Sequence, residues 1–296
     1  ISGTAAYSGL VNGETFTVTG TPTASFANAN VGTGKSVTVS GYTAPSSNYT
    51  ITQPTGLTAN ITAASLTVTA SAQSKTYGST APTSGTLNTN FTVTGLQGSD
   101  AASGATLSYS GATAGNLAGA AVGSYTITPS ALTLSSGSTS NYTITYSTGT
   151  LTVNAAALTI TGISISNKTY NGNTTATITG TAAYSGLVNG ETFTVTGTPS
   201  ASFANANVGT GKAATVTGYT APSSNYSITQ PTGLTANITA ASLTVTASAQ
   251  SKSYGSTAPT SGTLNTNFTV TGLQGTDAAS GATLSYSGAT AGNLAG

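Results

Sequence analysis

The chain of 296 residues has no cysteine, methionine, tryptophan, histidine or arginine, and only 3% of it is charged. Each absence removes a chemistry. Without cysteine there is no disulfide framework and no thiol redox centre. Without histidine and cysteine, zinc centres and Ser-His-Asp or Cys-His catalysis lack their ligands and bases. The acids are Glu14, Asp100, Glu191 and Asp277, one to each module segment defined below. Carboxylate dyads and calcium sites need closer company than that. The composition therefore speaks against an enzyme and implies no cofactor and no metal. Five scattered lysines and a formal charge of +1 cannot neutralise a run of phosphates or grip an anionic bilayer. Neither nucleic acid nor membrane insertion is expected. No apolar run reaches the about 18 residues of a spanning helix, and Ile1 does not open a signal peptide.

What is present is mostly Gly, Thr, Ser, Ala and Asn, with Val, Ile, Leu and Tyr recurring inside the Thr-rich runs. Disordered chains of polar composition carry more charge and fewer β-branched residues than this. The pattern has period two. Glu191-Thr192-Phe193-Thr194-Val195-Thr196-Gly197, Leu66-Thr67-Val68-Thr69 and Tyr142-Thr143-Ile144-Thr145-Tyr146 alternate apolar residues with Thr. That alternation suits half-buried antiparallel strands. Asn12-Gly13 and Asn189-Gly190 offer the positive φ angles of a tight hairpin turn.

A long internal repeat sets the organisation. Residues 1–119 return without a gap as 178–296, an offset of 177, and differ at positions 2, 23, 36, 37, 40, 50, 76 and 99. Val37, which becomes Ala214, is the only change that removes a sizeable apolar group. Ala-rich junctions divide the 177-residue unit again, at Ala63-Ala64, Ala155-Ala156 and Ala240-Ala241. This gives a partial module A (1–62), a complete module B (63–154), a complete A (155–239) and a partial B (240–296). Both types open on a Leu-Thr-Val or Leu-Thr-Ile strand and a Lys-Thr-Tyr turn, and both close on Asn-Tyr-Thr/Ser-Ile. They read as diverged copies of one fold, and the chain reads as a window on a longer array. The expected fold is all-β: small Ig-like β-sandwiches stacked head to tail in an elongated rod, the short links leaving little room for tumbling. A β-solenoid, the alternative, needs a repeat of about 20–30 residues.

The motifs Tyr170-Asn171-Gly172 in A, and Tyr77-Gly78-Ser79 and Tyr254-Gly255-Ser256 in B, carry a resemblance. Module A resembles the YDG-type domain, with Asn171 in place of the usual Asp, and module B resembles the MBG domain of YGX type. The resemblance implies a repeat of very large secreted bacterial adhesins and filamentous-haemagglutinin-like proteins. It carries over no catalytic or ligand-binding residue.

The sharpest chemical candidate is an ion pair, or a Lys–Asn isopeptide promoted by a carboxylate, using Lys75 with Asp100 in B and Lys168 or Lys212 with Glu191 in A. Two surface readings compete with ordinary strand faces: a flat Thr array over 15–19 and 192–196 that orders water as ice-binding surfaces do, and tyrosines that stack on sugars. Tyr77, Tyr142, Tyr170 and Tyr226, at equivalent places in A and B, read instead as core, while Tyr109, Tyr184 and Tyr219 read as exposed. The functional expectation is a structural stalk on the bacterial cell surface. Its partners would be its own neighbouring modules, and a receptor reached through other regions. The alternative is a self-assembling filament or matrix of many copies, with a glycan- or ice-binding module as a third reading.

Overall fold

The computed structural model describes residues 1–287; the end of the 240–296 segment, residues 288–296, lies outside the described part. The chain forms two compact units, Ile1–Asn154 and Ala155–Gly296. Among the described residues the one helical element is a 3-10 turn, Thr139–Asn141; the rest of the regular structure is strand.

In the first unit, β1 (Thr19–Phe26), β2 (Gly32–Thr43) and β3 (Thr58–Ile61) make an antiparallel sheet. The 63–154 module follows with β4 (Ala64–Ala70), β5 (Gln73–Thr76), β6 (Ser84–Gly85), β7 (Phe91–Thr94), β8 (Ala101–Tyr109), β9 (Gly123–Ser136), β10 (Tyr142–Ser147) and β11 (Gly149–Asn154). These strands build a three-stranded sheet, β10-β4-β7, and a five-stranded sheet, β5-β11-β9-β8-β6.

In the second unit, the 155–239 module contains β12 (Ala156–Ile165), β13 (Lys168–Thr169), β14 (Thr175–Ala176), β15 (Ile178–Ser185), β16 (Thr196–Phe203), β17 (Gly209–Thr220), β18 (Tyr226–Thr229) and β19 (Thr235–Thr239). Its sheets are ordered β15-β12-β18 and β13-β19-β17-β16-β14. Strand for strand, that is the topology of the 63–154 module, so A and B are one fold in two sequences. Beyond it, β20 (Thr244–Ala247) pairs with β22 (Phe268–Thr271), and β21 (Ser261–Gly262) pairs with β23 (Ala282–Thr283). These repeat the β4–β7 and β6–β8 pairings.

Not every pair is antiparallel, as the alternation alone suggests. The opening run β4–β5 lies parallel to the closing run β10–β11, from Tyr142 beside Ala64 to Asn154 beside Thr76. In the 155–239 module β12 and β13 run parallel to β18 and β19, from Tyr226 beside Ala156 to Thr239 beside Thr169. The first and last runs each contribute one strand to either sheet, side by side, which forces both to travel the same way.

The core of each module lies between its two sheets. Leu66, Val68, Phe91, Ala102, Ala105, Leu132 and Tyr142 form it in B. Ile160, Ile165, Phe203, Val216, Tyr219 and Ile238 are prominent in A. Leu66 and Val68 are 1% and 0% exposed, as the period-two reading requires. Sheet curvature comes from paired bulges. Between β16 and β17 the register slips from Gly197 to Ser200, across Pro199. Gly197 and Gly218 face each other there with φ of +117 and +97, and a Cβ on Gly218 would stand 2.3 Å from the Thr198 carbonyl oxygen. Only glycine fits such an approach.

The Asn-Gly turns form as expected, with φ of 56 at Asn189 and 70 at Gly190, but they close no hairpin. β15 pairs with β12, whereas β16 pairs with β17 and β14. The chain crosses from one sheet to the other here, so residues 191–195 and 14–18 stay outside any ladder. The expected strand over 191–197 therefore begins only at Thr196. The flat threonine array over 15–19 and 192–196 does not form.

Candidate functional site

The crossing turn positions the acid of each module. In A, Val188-Asn189-Gly190-Glu191 closes with the Glu191 N–H on the Val188 carbonyl at 3.1 Å. In B, Gln97-Gly98-Ser99-Asp100 closes with the Asp100 N–H on the Gln97 carbonyl at 3.0 Å. Each turn thus lifts one carboxylate and one free N–H toward the strand that starts at the Asn-Tyr motif. Tyr226 donates its hydroxyl to Glu191 Oε2 at 2.5 Å and accepts the Val188 N–H at 3.1 Å. Tyr142 donates to Asp100 Oδ2 at 2.6 Å and accepts the Gln97 N–H at 3.0 Å. In the 1–62 segment Tyr49 donates to Glu14 and accepts the Val11 N–H at 3.2 Å. The same latch is therefore built three times. The neighbouring carboxylate favours the protonated phenol, and the Tyr142 and Tyr49 hydroxyls are pushed above the ordinary tyrosine value. In A an edge-to-face contact of Phe193 with Tyr226, ring centroids 6.2 Å apart, orients the ring.

The lysines fasten other turns. Lys75 is 7% exposed, and its ammonium donates to the Ser79 carbonyl at 2.9 Å and the Leu117 carbonyl at 2.7 Å. Burial without a carboxylate partner lowers its pKa. The Tyr77-Gly78-Ser79 turn is further tied by the Tyr77 N–H to Asn154 and the Gly78 N–H to Ala118. Lys168 does the same work in A, donating to the Asn173 carbonyl at 2.8 Å and side chain at 3.0 Å, and to Thr175 at 3.1 Å. Lys212 donates to the Asn205 side chain at 2.5 Å and the Asn207 carbonyl at 2.6 Å.

The structure thus does not bring the expected sets together. Lys75 and Asp100 engage different partners, as do Lys168 and Lys212 on one side and Glu191 on the other. No ion pair joins them, because tyrosine hydroxyls take the carboxylates and carbonyl oxygens take the ammonium groups. Lys212 meets an asparagine side chain, but the carboxylate that would promote an isopeptide there is held by Tyr226.

The four tyrosines read as core lie inward, whereas Tyr109 and Tyr184, read as exposed, are half-buried. Tyr77, Tyr142 and Tyr226 are buried and Tyr170 is half-buried. Tyr219, expected at the surface, is a correction: it is 6% exposed and packs in the A core. Its backbone is paired by the Gln230 side chain, which accepts from the Tyr219 N–H at 3.1 Å and donates to its carbonyl at 2.8 Å. A cleft of about 420 Å³ in the 1–62 segment is lined by Tyr7, Tyr42, Tyr49 and Ile51. Shifted by 177 residues, these are Tyr184, Tyr219, Tyr226 and Ile228, of which Tyr184 lies on β15 and Tyr226 and Ile228 on β18, the two strands that flank β12 in the complete module.

This geometry defines a class: a repeated two-sheet β module whose few ionisable side chains fasten its own turns. Residues 1–56 and 154–233 match the YDG domain, and residues 66–152 match the MBG domain of YGX type. The chain belongs to the proteins that carry YDG and MBG domains in tandem. Comparison with curated proteins and with solved structures finds no match to either.

Proposed function

We propose that the chain is a structural stretch of a long extracellular bacterial fibre, the non-catalytic stalk of a cell-surface adhesin. Its modules are small Ig-like β-sandwiches joined head to tail. One observation carries this reading: in each complete module the opening and closing runs are parallel and paired at both ends, 64–69 with 142–147 and 73–76 with 151–154 in B, 156–159 with 226–229 and 168–169 with 238–239 in A. Chain direction is preserved through the module, so the entry beside Tyr142 and the exit beside Thr76 lie at opposite ends of it. Tension applied at those ends loads the ladder between the runs in shear, where its hydrogen bonds resist together. The sparse ionisable groups support the reading too, since each is engaged in holding a turn.

Thirteen or fourteen residues per run at ~3.3 Å give each module about 40 Å along the strands. A 177-residue repeat would then extend about 80 Å. Lateral assembly is the second reading, favoured by a net charge of only +1, which opposes association weakly. Negative-stain electron microscopy of the native full-length material, with mass per length recorded, tests both. One chain per repeat in a rod about 2–3 nm wide supports the stalk. Several chains per repeat overturn it in favour of the assembled filament.

A further inference from the structure

The latch acid of module B faces a second partner. In the first unit a cleft of about 680 Å³ lies where the 1–62 segment meets the 63–154 module, lined by Asn30, Val31, Ile61, Gln97, Asp100 and Tyr142 among others. Asp100 gives Oδ2 to Tyr142, and its other oxygen accepts no hydrogen bond among the described residues. In the second unit the 177-residue offset puts Val208 at the place of Val31 and Asp277 at the place of Asp100. There Tyr170, from the Tyr170-Asn171-Gly172 turn, donates to Asp277 Oδ1 at 3.2 Å. The backbones of the two turns also touch. A Cβ on Gly172 would stand 2.8 Å from the Gly275 Cα, and a Cβ on Gly275 would stand 3.0 Å from the Gly172 Cα. The cleft that remains is about 220 Å³, lined by Tyr170, Val208, Leu243, Leu273 and Asp277.

We infer that this cleft is a docking surface for the Tyr-Asn-Gly turn of the preceding A module, and that a complete A–B pair shares one aspartate between two tyrosines. The module's own Asn-Tyr hydroxyl holds one oxygen, and the hydroxyl of the docked turn holds the other. A carboxylate has room for both, with about four lone-pair sites. Two glycines with positive φ, +77 at Gly172 and +57 at Gly275, let the turns meet backbone to backbone. The contact fixes one module on the next without any ion pair, in a chain nearly free of charge. It stands whether the fibre is a single stalk or a lateral assembly.

The test is a double-mutant cycle in the full 296-residue chain, reading amide hydrogen exchange at Gly275 and Asp277. Tyr170→Phe keeps the ring and removes the donor; Asp277→Asn weakens the acceptor. Each single variant is expected to speed exchange about fivefold, and the double variant no further, with the core amides of Val216 and Ile238 unchanged. Gly172→Val is expected to give the same local loss by steric exclusion. Additive effects, or unchanged exchange at Gly275 and Asp277 in Tyr170→Phe, overturn the proposal. For the shared aspartate, residues 120–154 are appended after Gly296 to complete the second B module. There Tyr170→Phe and the equivalent change at the appended Asn-Tyr tyrosine are each expected to raise exchange at Asp277. A response to only one of them refutes the sharing.

Discussion

Removing a single oxygen tests whether each module's one acid is there to hold its tyrosine. Tyr226→Phe deletes a hydroxyl that donates to Glu191 at 2.5 Å and accepts the Val188 N–H at 3.1 Å. The ring and its edge contact with Phe193 remain. The charge-assisted bond is worth about 1.5–3 kcal/mol and the neutral one about 0.5–1.5 kcal/mol. Water reaches the half-buried Glu191 and offsets part of this, leaving a loss of about 2 kcal/mol. For a module of this size that lowers Tm by about 10 °C. Hydrogen exchange of peptides covering β17 and β19 reads the loss in the 155–239 module alone. Glu191→Gln alone is expected to cost about 1 kcal/mol, and the double variant no more than Tyr226→Phe, a coupling of about 1 kcal/mol. Additive losses, or a loss below about 0.5 kcal/mol for Tyr226→Phe, refute the latch.

Three further outcomes follow from the same geometry. Lys75→Met keeps the aliphatic stem but strands two carbonyl oxygens, so it is expected to destabilise the 63–154 module by about 1–2 kcal/mol and to speed exchange at Gly78. Gly218→Ala places a methyl 2.3 Å from the Thr198 oxygen and is expected to cost about 3 kcal/mol or more in thermal unfolding. Gly190→Ala, with nothing within 4 Å, should cost only about 1 kcal/mol. The Asp100 bond raises the Tyr142 pKa in the folded state. Its contribution is therefore full below about pH 10 and lost as pH rises through the folded value. Alkaline unfolding of the 63–154 module should be blunted by Tyr142→Phe. Lys75 acts in the opposite sense, because burial penalises its charged form at neutral pH and rising pH relieves the penalty. Lys75→Met separates the two.

Repetition and alternation made much of the fold legible. The shared openings and closings of A and B announced one fold in two sequences, and Leu66 and Val68 were readable as core from period two alone. The same alternation misled at Glu191–Gly197, because a chain crossing between sheets keeps the residue pattern of a strand while leaving the ladder. The parallel pairing of first and last runs was not legible, since no local signal distinguishes a parallel neighbour from an antiparallel one. The latch was half-written. Each acid closes a turn with positive φ, and each module segment with an Asn-Tyr motif holds one such acid, Glu14 with Tyr49, Asp100 with Tyr142 and Glu191 with Tyr226. That one-to-one count was the available signal. Charge suggested lysine as the partner instead, because ion pairs are the usual company of carboxylates and a tyrosine tens of residues away leaves no mark in spacing.

Single-molecule pulling of the native chain from its two ends tests the proposed mechanical role of the modules. The complete modules 63–154 and 155–239 are expected to open in separate steps, each releasing about 30 nm of contour. Each step should require a force well above that needed to unzip a β-hairpin, because the parallel terminal runs are loaded in shear. Smooth extension at low force, with no discrete steps, would contradict a structural stalk built from these modules.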